Sequence, residues 1–268
     1  MRTAVVATST DLPTGVLATM LADSVPGRRL LIEIAGMEST WAIRDREHAP
    51  QPPGQRAIAA AISEHASSLS AGIVLAATVD LASGVVLDSL ERWEEARSLP
   101  TLLADPMAGI LTRSHLATVL TAMADWLAGQ DRRVHSVVDA GYIFDETSAP
   151  LKWLSSCERL VLVTAPTPSD LGRLTQLVRD GLTPSAIVLL ADRALGFVDA
   201  VRASLGASQI PLLVTPPLSG DVLIPDIQSL VFDSRDRRRR RRHGALEQLL
   251  VTARLLETEL TESTEVRP

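Results

Sequence analysis

The chain has 268 residues, of which 46% are hydrophobic, so it can bury the core of one large domain or two small ones, and extensive disorder is excluded. Its single cysteine, Cys157, excludes an intrachain disulfide or a multi-cysteine metal site and favours a reducing, cytoplasmic setting. The net charge of −6 is uneven, because residues 235–242 carry seven arginines and one aspartate, which leaves an acidic body. Such a body excludes attraction of nucleic acid or anionic lipid by the protein as a whole.

Short apolar runs and helix-spaced apolar residues alternate through the first half of the chain, separated by turn residues such as Pro26 and Gly27. The predicted elements, in chain order, are a strand over 4–7, a helix ending near 22, a strand over 28–34, a helix over 56–67, a strand over 72–77, a charged helix over 87–97, a helix over 112–129 and a strand over 134–138.

The second half alternates in the same way. Its predicted elements are a strand over 159–164, a helix over 168–180, a strand over 186–190, a helix over 195–205, a strand over 210–214 and a helix over 244–260. Short, wholly apolar strands between amphipathic helices are typical of a parallel sheet covered on both faces. The sequence therefore predicts an α/β fold with three α/β/α layers and a mostly parallel central sheet.

The predicted organisation is one α/β domain over 1–234, an arginine-rich linker over 235–243, a C-terminal helix over 244–260 that packs on the domain, and a frayed tail over 261–268. No run of about 18 apolar residues is present in the sequence, so no transmembrane segment is expected. We expect a cytoplasmic protein that reaches a membrane, if at all, through a partner.

The first candidate site is formed by the first strand, loop and helix, which together cover residues 3–22 (TAVVATSTDLPTGVLATMLA). The loop at the carboxyl end of the first strand of an α/β protein faces the start of the next helix. Free backbone N–H groups and the helix dipole converge there, and both favour a phosphate group.

Four stretches together resemble the ParA/MinD branch of the P-loop ATPases (the SIMIBI class), especially actinobacterial MinD-like proteins and the TadZ/CpaE-type pilus-assembly relatives. TSTDLPTGVLATMLA lies where that family has its glycine-rich Walker A loop, and RRLLIEIAG resembles the following strand. HSVVDAG resembles the Walker B strand, with Asp139 as its acidic residue, and CERLVLVTAPTPSDLGRLTQLVRD resembles a later strand–helix unit. The resemblance covers about residues 3–260 and implies a P-loop NTPase-like fold.

The Walker A loop departs from the family pattern. Thr14 stands in place of the phosphate-binding lysine, Gly15 in place of the magnesium-binding hydroxyl residue, and Asp11 adds a negative charge where phosphates would lie. Two like charges about 4 Å apart repel by about 4 kcal/mol at an effective dielectric of 20. The resemblance thus implies a vestigial nucleotide site, with no catalytic residue, no metal and no cofactor; the alternative is a site that binds ATP and Mg²⁺. The vestigial positions are Ser9, Thr10, Asp11, Thr14, Gly15 and Asp139.

A run of consecutive arginines near the C-terminus is the strongest local charge signal. Its functional interpretation is contact with nucleic acid or anionic lipid. The alternative is a solvated linker in an arginine-biased chain, in which Lys152 is the only lysine. The run consists of Arg237, Arg238, Arg239, Arg240, Arg241 and Arg242.

The sequence-based hypothesis is therefore a ParA/MinD-like pseudo-ATPase, not an active enzyme, that serves as a protein-interaction or positioning module. The processes in question are chromosome partitioning and pilus, secretion or envelope assembly, with a protein partner and homodimerisation as expectations. The alternatives are a divergent, active partitioning ATPase and a nucleic-acid-binding protein that uses the arginine run.

Overall fold

The computed structural model describes residues 2–25, 27–33, 58, 60, 71–80, 85–86, 99–102, 122, 126, 134–142, 154, 157–192, 195–205, 210–218 and 244–265. Within these ranges the strands are β1 (Arg2–Ala7), β2 (Arg29–Glu33), β3 (Val79–Asp80), β4 (Val85–Val86), β5 (Pro100–Leu102), β6 (His135–Tyr142), β7 (Arg159–Thr164), β8 (Ala186–Leu190) and β9 (Leu212–Thr215). The helices are α1 (Thr14–Ser24), α2 (Ala71–Ala77), α3 (Pro168–Arg179), α4 (Leu195–Leu205) and α5 (Gly244–Glu265).

All nine strands form one sheet, in the order β4-β3-β5-β2-β6-β1-β7-β8-β9. The seven strands from β5 to β9 in that order pair in parallel, whereas β3 and β4 add a short antiparallel edge. The central strands are buried along almost their whole length, as the continuous apolar runs of the sequence require. The predicted α/β fold with a mostly parallel sheet is therefore confirmed.

Two apolar clusters cover the two faces of the sheet. On one face, α1 and α5 pack over inward-facing residues such as Val5, Leu31 and Val161. On the other face, α2, α3 and α4 pack over the residues that alternate with these, such as Ala4 and Leu162. This period-2 division of each strand between two helical layers produces the three-layer arrangement.

Most of the predicted elements within the described ranges match the structure. The strands over 159–164 and 186–190 and the helix over 195–205 have the predicted bounds, and the last helix extends to Glu265. The predicted strand over 72–77 is wrong, because these residues form α2 and the strand β3 follows them. A short apolar run without polar alternation suits a buried strand and a buried helix turn equally well. The helix predicted over 87–97, most of those predicted over 56–67 and 112–129, and the linker over 235–243 lie outside the described residues.

Candidate functional site

The sheet has a topological switch point between β1 and β7. These neighbouring parallel strands send their following helices to opposite faces, since α1 belongs to one apolar cluster and α3 to the other. Such a divergence opens a crevice beyond the carboxyl ends of the two strands, and ligands of open α/β sheets bind in that place. The loop over 8–13, which we call the site loop, leaves β1 at this edge.

On the other side of β1, strand β6 carries a bulge at the same edge. Val5 pairs with Asp139 and Val6 pairs with Gly141, so Ala140 is the extra residue. Gly141 has φ 55°, in the left-handed region that favours glycine. Its N–H donates to Oδ1 of Asp139 over 3.1 Å. The bulge therefore turns the strand end around the Asp139 carboxyl group and holds it in one orientation.

Asp139 is buried and lies beside the first turn of α1. It is only 3% exposed, and it accepts a hydrogen bond from the side chain of Thr14. Burial raises the pKa of Asp139 from 3.8 to about 6, while the hydrogen bonds from Thr14 and Gly141 act in the opposite direction. The structure thus brings together two of the predicted site residues, Thr14 and Asp139, which are 125 positions apart in the sequence.

A second carboxyl group lies next to Asp139 on the neighbouring strand. Glu33, the last residue of β2, pairs in register with Asp139 and is 1% exposed. Paired residues of adjacent parallel strands point to the same side of the sheet, with the strands about 4.8 Å apart. The carboxyl end of the sheet therefore places two acidic groups on the face that α1 covers.

The first turn of α1 presents backbone hydrogen-bond donors at the edge of the sheet where the site loop lies. The N–H of Thr14 donates to the carbonyl of Leu12 over 2.8 Å, and that of Leu17 donates to Pro13 over 3.2 Å. Between them, the N–H groups of Gly15 and Val16 have no hydrogen-bond acceptor among the residues that the structure describes. Such N-terminal donors, together with the helix dipole, suit an anionic group.

The three earlier residues of the predicted site lie in the site loop. Ser9 is half-buried, whereas Thr10 and Asp11 are exposed, with the Thr10 hydroxyl 3.3 Å from Oδ1 of Asp11. Because Asp11 is exposed, water and salt screen its charge, and its repulsion of a phosphate is weaker than the expected value of about 4 kcal/mol. The site loop contains no lysine or arginine, so the helix terminus has no cation from this loop.

Sequence reasoning missed a polar network across the switch point, which we call the Asp170 cluster: the buried residues Thr8, Thr164 and Asp170 and the exposed Thr167. The Thr8 hydroxyl donates to Oδ1 of Asp170, and the Thr167 hydroxyl donates to Oδ2. The oxygen–oxygen distance is 2.5 Å in both hydrogen bonds. The hydroxyl oxygens of Thr8 and Thr164 are 3.1 Å apart. The available signal was the Thr-Pro-Ser-Asp spacing at the start of α3, which resembles a capping box.

The arginine run over 237–242 lies outside the described residues. In the part of the chain that the structure does describe, no group of three or more His, Cys, Asp or Glu residues could hold a metal ion. Within the same part, no helix has the length and hydrophobicity needed to cross a membrane.

Comparisons with solved structures agree with this geometry. A ParA family ATPase from Chlorobium tepidum TLS superposes with a TM-score of 0.59 at 14% identity, covering 94% of this chain and 96% of its own. The ATP complex of a Cyanothece McdA variant gives 0.57 at 12% identity, covering 100% of this chain and 98% of its own. The MinC:MinD cell division protein complex of Aquifex aeolicus gives 0.52 at 11% identity, covering 96% of this chain and 95% of the matched one.

These similarities show that the chain has the fold of the ParA family ATPases and of MinD. No family model matches the chain, and no curated protein sequence matches it either. The resemblance to the ParA/MinD branch is therefore confirmed at the level of the fold.

The expectation that the protein uses no cofactor is contradicted by these comparisons. A structure of this fold is an ATP complex, which points to nucleotide binding rather than to none. The residues fit a nucleotide in part: the N–H groups of Gly15 and Val16, which have no acceptor within the described ranges, suit a phosphate, and oxygen ligands such as Asp139 and Thr14 suit Mg²⁺. The sequence argument gave more weight to the missing lysine than to the backbone donors at the start of α1.

Proposed function

We propose that the protein binds an adenine nucleotide at the N-terminus of α1 and acts as a positioning or partitioning module that hydrolyses the nucleotide poorly or not at all. Binding is supported by the ParA/MinD fold and by the two N–H groups of Gly15 and Val16, which have no acceptor among the described residues. Poor hydrolysis is supported by the site loop, which lacks a cation to neutralise the charge that develops on the phosphates.

The observation that carries the proposal is the hydrogen bond between Asp139 and Thr14 beside the N–H groups of Gly15 and Val16. Backbone N–H groups hold a phosphate, and Asp139 with the Thr14 hydroxyl would hold Mg²⁺. When bound, that ion would neutralise part of the negative charge of the phosphates. It would thus replace part of the positive charge that a Walker A lysine provides. The buried Asp139 carboxyl group is held in place for this role by Gly141.

We further infer that the protein works through a protein partner and as a homodimer, in chromosome partitioning or in pilus, secretion or envelope assembly. The similar MinD structure was solved with MinC, which supports a partner for this fold. Sedimentation in the presence and absence of ATP and Mg²⁺ tests the homodimer, which requires twice the mass of one chain; a single-chain mass under both conditions removes that inference.

Titration calorimetry with ATP and Mg²⁺, followed by an assay of released phosphate, tests the nucleotide proposal. We expect a dissociation constant between about 10 μM and 1 mM, because no cation from the site loop contributes. We expect no phosphate release above that of buffer. No binding at about 1 mM ATP would overturn the nucleotide site, and phosphate release that Asp139→Ala abolishes would establish the active ATPase instead.

A further inference from the structure

The Asp170 cluster joins the two sides of the switch-point crevice. Thr8 is the first residue of the site loop, whereas Asp170 lies in the first turn of α3, 162 positions later. The Thr8 N–H also donates to the carbonyl of Val163 in β7 over 3.0 Å. Both the backbone and the side chain of Thr8 are therefore tied to the β7–α3 unit, on the side of β1 opposite to β6.

Three of the four residues of the cluster are buried, which strengthens the hydrogen bond between Thr8 and Asp170, whereas Thr167 is exposed. Thr8, Thr164 and Asp170 are 3%, 0% and 5% exposed, so bulk water does not compete for their polar atoms. The two oxygens of Asp170 divide their roles, because Oδ1 accepts from the site loop and Oδ2 accepts from Thr167. The Thr167 hydroxyl in turn caps α3 by accepting the N–H of Asp170 over 3.1 Å.

We propose that Asp170 is a positioning residue for the nucleotide site: it fixes the start of the site loop, so that the N–H groups of Gly15 and Val16 are preorganised for a phosphate. This inference rests on the proposed nucleotide binding and adds a residue that lies outside the Walker A and Walker B resemblances. If the six residues of the site loop became ordered only when the nucleotide binds, the loss of conformational entropy would lower the affinity for the nucleotide. A hydrogen bond that orders the loop beforehand avoids this loss. Asp170 supplies the order before the nucleotide arrives.

The test compares three variants of the full chain. Thr8→Val keeps the shape of the side chain and removes the donor to Oδ1, whereas Thr8→Ser keeps the donor. Thr167→Val is the control on the other oxygen of the same carboxyl group, since it removes the donor to Oδ2 together with the cap of α3 and leaves the site loop unchanged. Hydrogen exchange of the backbone amides at 9–12 and the ATP dissociation constant with Mg²⁺ are measured for each variant and for the wild type.

We expect Thr8→Val to accelerate exchange of the site-loop amides and to raise the ATP dissociation constant, each by about tenfold, as for the loss of one buried hydrogen bond. Thr8→Ser should restore both values, and Thr167→Val should change exchange only in the first turn of α3. A lower melting temperature of Thr8→Val with site-loop exchange at the wild-type rate would assign the cluster a structural role alone and overturn the proposal.

The two proposals fail in different ways. If the wild type binds no ATP, the proposed nucleotide site is wrong. The exchange rates of the site-loop amides then still test whether Asp170 orders the site loop. If the wild type binds ATP and Thr8→Val binds it equally well with unchanged exchange, the positioning role of Asp170 is wrong and the nucleotide site stands.

Discussion

Asp139 is a carboxyl group held inside the protein, and its protonation links the candidate site to stability. Its pKa of about 6 in the folded protein lies above the ordinary value of 3.8, mainly because burial penalises the charged form. The folded state therefore binds this proton more tightly than the unfolded state. Its contribution to the free energy of unfolding is present below about pH 4 and is lost as the pH rises through about 6.

Replacing Asp139 by Asn should therefore stabilise the protein at neutral pH. Asn keeps an acceptor for Gly141 and removes the buried charge, so we expect the free energy of unfolding at about pH 7.5 to rise by up to about 3 kcal/mol. The gain should shrink to about 1 kcal/mol near about pH 4.5 and to zero only below about pH 4, where the carboxyl group is protonated in the unfolded state as well. Denaturant unfolding at both pH values measures this, with the exposed Asp192→Asn as a control that changes little. A loss of stability for Asp139→Asn at neutral pH would contradict the burial cost.

At the scale of elements, replacing glycine by alanine should have opposite effects on stability in two places. It should destabilise the protein at the bulge in β6 and stabilise it within a regular helix. Gly141 has φ 55°, so Gly141→Ala should cost about 1–2 kcal/mol of stability and disturb Asp139. Gly172 lies inside α3 with open space where a Cβ would lie, so Gly172→Ala should gain about 1 kcal/mol. Thermal unfolding of both variants provides the comparison. Equal effects of the same sign would argue against a backbone constraint at Gly141.

The end of α3 shows why some elements were predictable from sequence. The N–H groups of Leu182 and Gly181 donate to the carbonyls of Leu177 and Val178, and Gly181 has φ 96°, which together form a Schellman motif. Apolar spacing, Pro168 at the first turn and this glycine all agree, so the helix could be predicted within one residue.

The residues of α2 and the candidate site show where sequence reasoning ends. The composition of residues 71–77 is compatible with a strand or a helix. They form a helix in the structure, because tertiary packing outweighs the local pattern. The contact between Thr14 and Asp139 depends on the pairing of β1 with β6, and the link between Thr8 and Asp170 depends on the pairing of β1 with β7. Register between distant strands is not encoded in any local pattern, so neither contact could be predicted.

At the scale of the whole molecule, α5 closes the layer that supports α1. Both helices share one apolar cluster, and Arg159 at the start of β7 forms an ion pair with Glu257 of α5 over 3.7 Å. The side chains are 6% and 13% exposed, so this pair joins the last helix to the central sheet away from water.

Removing the charge of Glu257 should therefore weaken the whole fold. We expect Glu257→Gln to lower the free energy of unfolding by about 2 kcal/mol, because the Arg159 guanidinium remains buried without this carboxylate. Glu259→Gln, at an exposed position two residues later in the same helix, should change it by less than about 0.5 kcal/mol. Urea unfolding distinguishes the two variants, and equal small effects would mean that apolar packing alone holds α5.

The most direct test of the nucleotide site adds the cation that the site loop lacks. Titration calorimetry with ATP in the absence of Mg²⁺ compares the wild type with Thr14→Lys, which puts a lysine at the start of α1, and with Thr14→Gln, a control of similar length without charge. Mg²⁺ is left out because both variants remove the Thr14 hydroxyl that is proposed to hold it. We expect Thr14→Lys to tighten ATP binding by at least about tenfold, since a charge-assisted hydrogen bond contributes about 1.5–3 kcal/mol, and Thr14→Gln not to tighten it. If ATP binds to Thr14→Lys no more tightly than to the wild type, there is no phosphate site at the N-terminus of α1.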